Sequence, residues 1–120
     1  MDSVTSPREA ELAKLPWDRE GLVEYAAAFS GTLDLGIARA VRILREADLH
    51  TIESCEGGPD HSYPEPTVKF SGTPACGWKA AAQLMYRGLP IKRLGQVWTF
   101  EYGLPTGPDW IVTFTRKLDS

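Results

Sequence analysis

Residues 67–71, Thr67-Val68-Lys69-Phe70-Ser71, alternate strictly, with Val68 and Phe70 to one side and Thr67, Lys69 and Ser71 to the other. A two-residue period scatters its apolar groups around a helix but gathers them on one face of a strand, so this segment is predicted to be a half-exposed strand against a core. Such a strand needs partners. His50-Thr51-Ile52-Glu53-Ser54 supplies one, ended by the break at Gly57-Gly58-Pro59. Segments 96–102 and 110–115, rich in aromatic and β-branched residues, supply a hairpin around the turn Gly103-Leu104-Pro105-Thr106-Gly107-Pro108-Asp109. In that hairpin Trp98, Phe100 and Tyr102 share one face, and Trp110, Val112 and Phe114 share another.

The remaining segments carry a helical period. Ser6-Pro7-Arg8-Glu9 joins an N-cap hydroxyl, a proline at the first helical position and a glutamate three residues after the cap, which predicts a short helix over 7–14 that Pro16 stops. Asp18 then precedes Leu22, Tyr25, Ala26 and Phe29 at helical spacing, in a helix expected to end at Ser30-Gly31 with Gly31 as its left-handed cap. A third helix over 34–47 places Ile37, Ala40, Val41, Leu44 and Ala47 on one face and Arg39, Arg42, Arg45 and Glu46 mostly elsewhere. The fourth opens at Thr73-Pro74, with Trp78, Ala81, Ala82, Met85 and Leu89 as its buried stripe and Gly88 at its close.

Helix, helix, helix, strand, strand, helix, strand, strand is the order of an α+β two-layer domain: a sheet of about four strands, mostly antiparallel or mixed, with helices on one face. Residues 1–33 read as an N-terminal helical extension and 34–120 as the α+β core domain, the whole forming one compact domain. A chain of 120 residues is long enough to bury about 70% of its unfolded surface.

Charged residues make up 24% and apolar residues 42% of the chain, which excludes a disordered or membrane-embedded class. No apolar run approaches the ~20 residues of a bilayer span, and the first residues lack the basic and apolar regions of a signal peptide, so a cytoplasmic location is expected. In that compartment Cys55 and Cys76 are expected to be free thiols. The net charge is −3 and the basic residues are dispersed, which argues against long nucleic acids and membranes as partners. Arg87, Lys92 and Arg93 form the best local basic group for a small anion, against the plainer account of a solvated face.

The segment Ser54-Cys55-Glu56-Gly57-Gly58-Pro59-Asp60-His61-Ser62-Tyr63-Pro64-Glu65 joins two predicted strands through a loop longer than a hairpin needs. Thiol, carboxylate, imidazole and phenol groups crowd into it, and Pro59, Pro64 and Pro66 stiffen it against the entropy lost on binding. Ser54, Cys55, Glu56, Gly57, Gly58, His61, Tyr63 and Glu65 are the candidate ligand-binding residues. The Gly57-Gly58 backbone is expected to form a concave nest for an anionic group, Tyr63 to stack, and His61 and Glu56 to give polar contacts. A wide turn that simply needs two flexible residues is the competing account.

Other chemistries use the same residues. Cys55 could act as nucleophile with His61 as base and Glu56 or Glu65 orienting the ring, against the plainer account of a small buried hydrophobe. Cys55, His61, Cys76 and His50 are suitable zinc ligands, but no Cys-x-x-Cys or His-x-x-x-His pair pre-positions two of them, so no metal centre is predicted. No cofactor can be named from the sequence.

The run from Glu53 through Gly58, with His61, 63–67, 70–72, 105–108 and Trp110, resembles a family of small bacterial and phage proteins over residues 34–116. That resemblance implies no particular activity. Ser54-Cys55-Glu56-Gly57 is also similar, over four residues, to the Ser-Cys-Ser-Gly stretch of the wybutosine-synthesis tRNA methyltransferases. Their following basic residue is replaced by Gly58, and tRNA methylation is not carried over.

The leading expectation is a small polar ligand-binding domain with its site at 54–66, a nucleotide being one such ligand. The phage resemblance adds sequestration of a host signalling nucleotide as one purpose. The alternatives are a small cysteine- and histidine-dependent enzyme using the same loop, and a protein-interaction module in which the hairpin edge or N-terminal helices bind a partner or a second copy, as a homo-oligomer.

Overall fold

The computed structural model describes residues 7–29 and 33–118. Among them are helices α1 (Pro7–Ala13), α2 (Arg19–Ala27), α3 (Leu35–Glu46) and α4 (Pro74–Tyr86). The strands are β1 (His50–Cys55), β2 (Thr67–Ser71), β3 (Ile91–Val97), β4 (Phe100–Glu101), β5 (Leu104–Pro105) and β6 (Asp109–Phe114). A four-stranded antiparallel sheet runs in the order β1-β2-β6-β3, and β4 pairs with β5 in a separate ribbon. The chain is therefore the expected α+β fold. Val68 is in register with Val112 and Phe70 with Trp110, so the alternation of β2 and β6 falls on one face. That face, with Phe114, meets Ile37, Val41 and Leu44 of α3 and Ala80 and Leu84 of α4 in a single core to which α2 adds Tyr25.

Three expectations need correction or fall out of reach. The Ser6 cap lies outside the described residues; α2, capped by Asp18, whose Oδ1 accepts from the Gly21 amide at 2.9 Å, ends at Ala27 with Ala28 as its C-cap, ahead of the expected end at Ser30-Gly31. The strand opposite β6 is 91–97 rather than 96–102. Ile91 and Leu94 pack against the core, whereas Trp98, Phe100 and Tyr102 are exposed. That aromatic run instead forms the β4–β5 arm, turned by Tyr102 and Gly103 with φ of 53° and 78°, the paired positive values of a turn that matches strand twist.

The buried stripe of α4 is Gly77, Ala80 and Leu84, while Trp78, Ala82 and Met85 face solvent. Small and apolar residues occupy most sides of this helix, so its period alone does not select a face. Gly77 does: a Cβ there would lie 2.5 Å from the Trp110 ring, which is pinned by its Nε1 donating to the Thr73 carbonyl at 3.1 Å. Leu89 is buried as expected, but beyond the helix end.

Arg42 also departs from expectation, for it is fully buried. Its Nη1 donates to the Pro16 carbonyl at 2.9 Å, and Nη2 donates to those of Leu15 and Ala13 at 2.6 and 3.3 Å. Its Nε pairs with Glu46 at 2.8 Å, and the guanidinium lies 3.9 Å from the Trp17 ring centroid. The last carbonyls of a helix have no partner within it, and here α1 and the turn after it receive theirs from α3. Arg42→Ala strands these buried acceptors, and an equilibrium urea melt is expected to show a loss of about 3–5 kcal/mol. Arg42→Lys is expected to recover less than half, since an ammonium cannot reproduce the planar fork.

Candidate functional site

Cys55 ends β1, and the chain then turns back on itself before β2. Gly57 and Gly58 have φ of 86° and 136°, conformations that side chains rarely adopt, and a Cβ on Gly57 would sit 2.6 Å from the Glu65 carbonyl carbon. The Gly57 amide donates to Cys55 Sγ at 3.4 Å, the Gly58 amide to the Pro64 carbonyl at 3.2 Å, and the His61 amide to the Gly58 carbonyl at 3.1 Å. The glycine amides expected to cradle an anion are thus occupied in closing the loop. That corrects the nest: these glycines serve shape, and the loop presents side chains rather than backbone.

Those side chains face the first turn of α3. Asp34 is the N-cap residue of α3, but its carboxylate makes no capping bond; Oδ2 instead accepts from the Glu56 amide at 3.4 Å and stands 3.9 Å from His61 Nδ1. Glu56 is held from both sides. Its Oε1 accepts from the Gly36 amide at 2.9 Å, and its Oε2 lies 3.6 Å from Lys117 Nζ and 3.9 Å from His61 Nε2. Any Cβ at position 36 would come within 2.6 Å of that Oε1, so the close approach of the carboxylate to the helix start requires glycine. The Leu118 amide donates to the Gly36 carbonyl at 2.8 Å, bringing the chain's last described residues to the same place.

One donor atom each from Asp34, Cys55 and His61 lie within 4.8 Å of one another. The thiol is buried, the aspartate half-buried and the histidine exposed, so the cluster runs from the protein interior to solvent. Thiolate, imidazole and carboxylate are the donors a borderline divalent cation takes, and they are equally suited to holding a small polar molecule.

Of the expected site residues, Cys55, Glu56 and His61 come together, with Gly57 and Gly58 shaping the turn between them. Ser54 is half-buried in the sheet, in register with Val68. Tyr63 donates its hydroxyl to Glu53 at 2.5 Å, and Glu65 pairs with Lys92, so both are engaged outside the cluster. Both cysteines are free, but Cys76 Sγ accepts from the Thr73 hydroxyl at 3.6 Å, and neither it nor His50 belongs to the cluster. The basic group Arg87, Lys92 and Arg93 is also dispersed: Lys92 goes to Glu65, and the Arg87 guanidinium lies 4.2 Å from the Trp17 ring centroid.

Asp34, Gly36 and Lys117 border the candidate site and were missed by sequence reasoning. The only signal for Asp34 was an acidic residue ahead of an apolar helix, which reads as an ordinary N-cap. Two cavities, of about 420 and 280 Å³, are lined by residues such as Trp17, Lys79 and Arg87 and by Arg39, Arg87 and Arg116 respectively; neither is lined by a residue of 54–66.

No family model, curated protein or solved structure matches the chain. No helix among the described residues is long and apolar enough to cross a membrane.

Two tyrosines titrate abnormally. The bond to Glu53, then burial, pushes the Tyr63 phenol up to about 12, and burial pushes Tyr25 up to about 12 against the opposing charge of Arg45. The unfolded chain releases these protons near pH 10, so between about pH 10 and 12 the folded state holds more protons than the unfolded one. Urea melts across a pH series are expected to show this stabilisation intact below about pH 10 and lost as pH rises through about 12, with a shallower fall in Tyr63→Phe.

Proposed function

We propose that the chain binds a small polar or anionic ligand at the loop 54–66, gripped by Cys55, Glu56 and His61 together with Asp34. The observation that carries this reading is the convergence of Asp34, Cys55 and His61 within 4.8 Å. Groups of such different chemistry brought from a helix start, a strand end and a stiffened loop serve no evident packing need, and only the thiol is buried. Glu56 keeps its place through Gly36 and Lys117, which leaves His61 as the contact most open to solvent. A nucleotide is one member of this ligand class, with Tyr63, half-buried in the same loop and tied to Glu53 through its hydroxyl, as the aromatic ring suited to a base or sugar, and sequestration of such a molecule one purpose.

Native mass spectrometry of gently purified protein, set against a denatured sample, is expected to show a retained small molecule that is lost from both His61→Ala and Asp34→Ala. A mass increment that survives both substitutions overturns the reading.

A second reading, a self-associating module, is favoured by the arm after β3. Trp98, Phe100, Tyr102 and Leu104 are 57%, 64%, 102% and 68% exposed, an apolar group away from the loop that a second copy would cover. Sedimentation velocity over a hundredfold concentration range is expected to show a dimer that the double variant Trp98→Ser, Phe100→Ser abolishes. A monomer throughout the range removes this reading.

A further inference from the structure

We infer that Asp34, Cys55 and His61 are the protein ligands of a zinc-class divalent cation, whose remaining coordination position takes the polar ligand. This rests on the reading of the loop as a ligand site and names what grips the ligand there. Three features beyond the donor set point to it.

The first is the orientation of His61. Nδ1 faces Asp34 Oδ2 and Nε2 faces Glu56 Oε2, each at 3.9 Å. A cation held by Nδ1, Asp34 and Cys55 leaves Nε2–H to donate to Glu56, and a carboxylate behind a ligating histidine is the usual means of fixing its tautomer and ring angle. Glu56 is already anchored for that task by the Gly36 amide and Lys117.

The second is the sulfur. Cys55 Sγ accepts from the amide two residues later, at Gly57, an arrangement that fixes the direction of the sulfur at the strand end.

The third is the spacing of the three donor atoms. Ligands of a tetrahedral zinc stand about 3.5 Å apart, given bonds of about 2.0–2.3 Å. The present donors lie within 4.8 Å, so closure requires about an ångström, most of it available from the exposed His61. Calcium, which takes about six to eight oxygen ligands, does not fit a set containing a thiol.

The test is titration of the chelator-treated full chain with Co²⁺ alone. A sulfur-to-cobalt charge-transfer band is expected, saturating at one ion per chain and displaced by Zn²⁺. Cys55→Ser abolishes the band, His61→Ala weakens Co²⁺ binding at least tenfold, Glu56→Gln weakens it about tenfold, and Cys76→Ser changes nothing. His61 is exposed, so its truncation removes a ligand without opening the core. A missing band, or one that survives Cys55→Ser or depends on Cys76, overturns the metal. Native mass spectrometry of the same chelator-treated sample separates this failure from that of the loop reading. A retained organic molecule without a cobalt band overturns the metal and leaves the polar-ligand site standing, whereas neither signal overturns both.

Discussion

The burial of the Arg42 charge constrains the helical layer more than any other single interaction. A guanidinium withdrawn from water must find acceptors for its donors, and those acceptors here are the carbonyls of Ala13, Leu15 and Pro16. The path of the chain from α1 to α2 is set by that demand, and Trp17 lies over the guanidinium as a consequence. α3 thereby becomes the hub of the molecule. Its middle holds the N-terminal segment, one face supplies the core, and its first turn receives Glu56 and Leu118.

The candidate site is the other end of that hub. Two carboxylates, Asp34 and Glu56, sit beside one another where a helix start offers unpaired amides, and the Gly36 amide and Lys117 offset the negative charge of Glu56. Asp34 is then left to turn away from capping and toward the loop. The loop answers with a closed backbone, in which amides that would otherwise contact a ligand are spent on Cys55 Sγ and Pro64. Rigidity and chemistry are thus divided between the glycines and prolines on one hand and the thiol, imidazole and carboxylates on the other.

Where period and punctuation agree, the sequence was a good guide. β2 matches its alternating segment, α3 lies within its apolar stripe, and the loop between β1 and β2 is bounded by the predicted strands. Errors arose where the deciding contact is distant in sequence. Arg42 reads as a solvent-facing cation until the carbonyls of 13–16 are brought to it. The face of α4 depends on the Trp110 ring resting on Gly77, more than thirty residues away. Aromatic content pulled the third strand toward Trp98 and Phe100, although pairing with β6 is set by Ile91, Leu94 and their neighbours. The loop half of the site was legible from its unusual mixture of side chains; Asp34, Gly36 and Lys117 were not, because nothing local marks a residue that works through a tertiary contact.

The sheet order carries a consequence for how the chain is made. β6 lies between β2 and β3 although it follows both in sequence, and among the described residues β3 pairs only with β6. On the ribosome α3, β1 and β2 can assemble early, being adjacent and joined by a self-closed loop. β3 must wait, unpaired, until 109–114 have emerged from the exit tunnel, and Lys117 and Leu118 reach Glu56 and Gly36 later still. The half of the sheet that bears the loop is therefore a local structure, quick to form, whereas its other half and the final setting of Glu56 wait for residues 109–118.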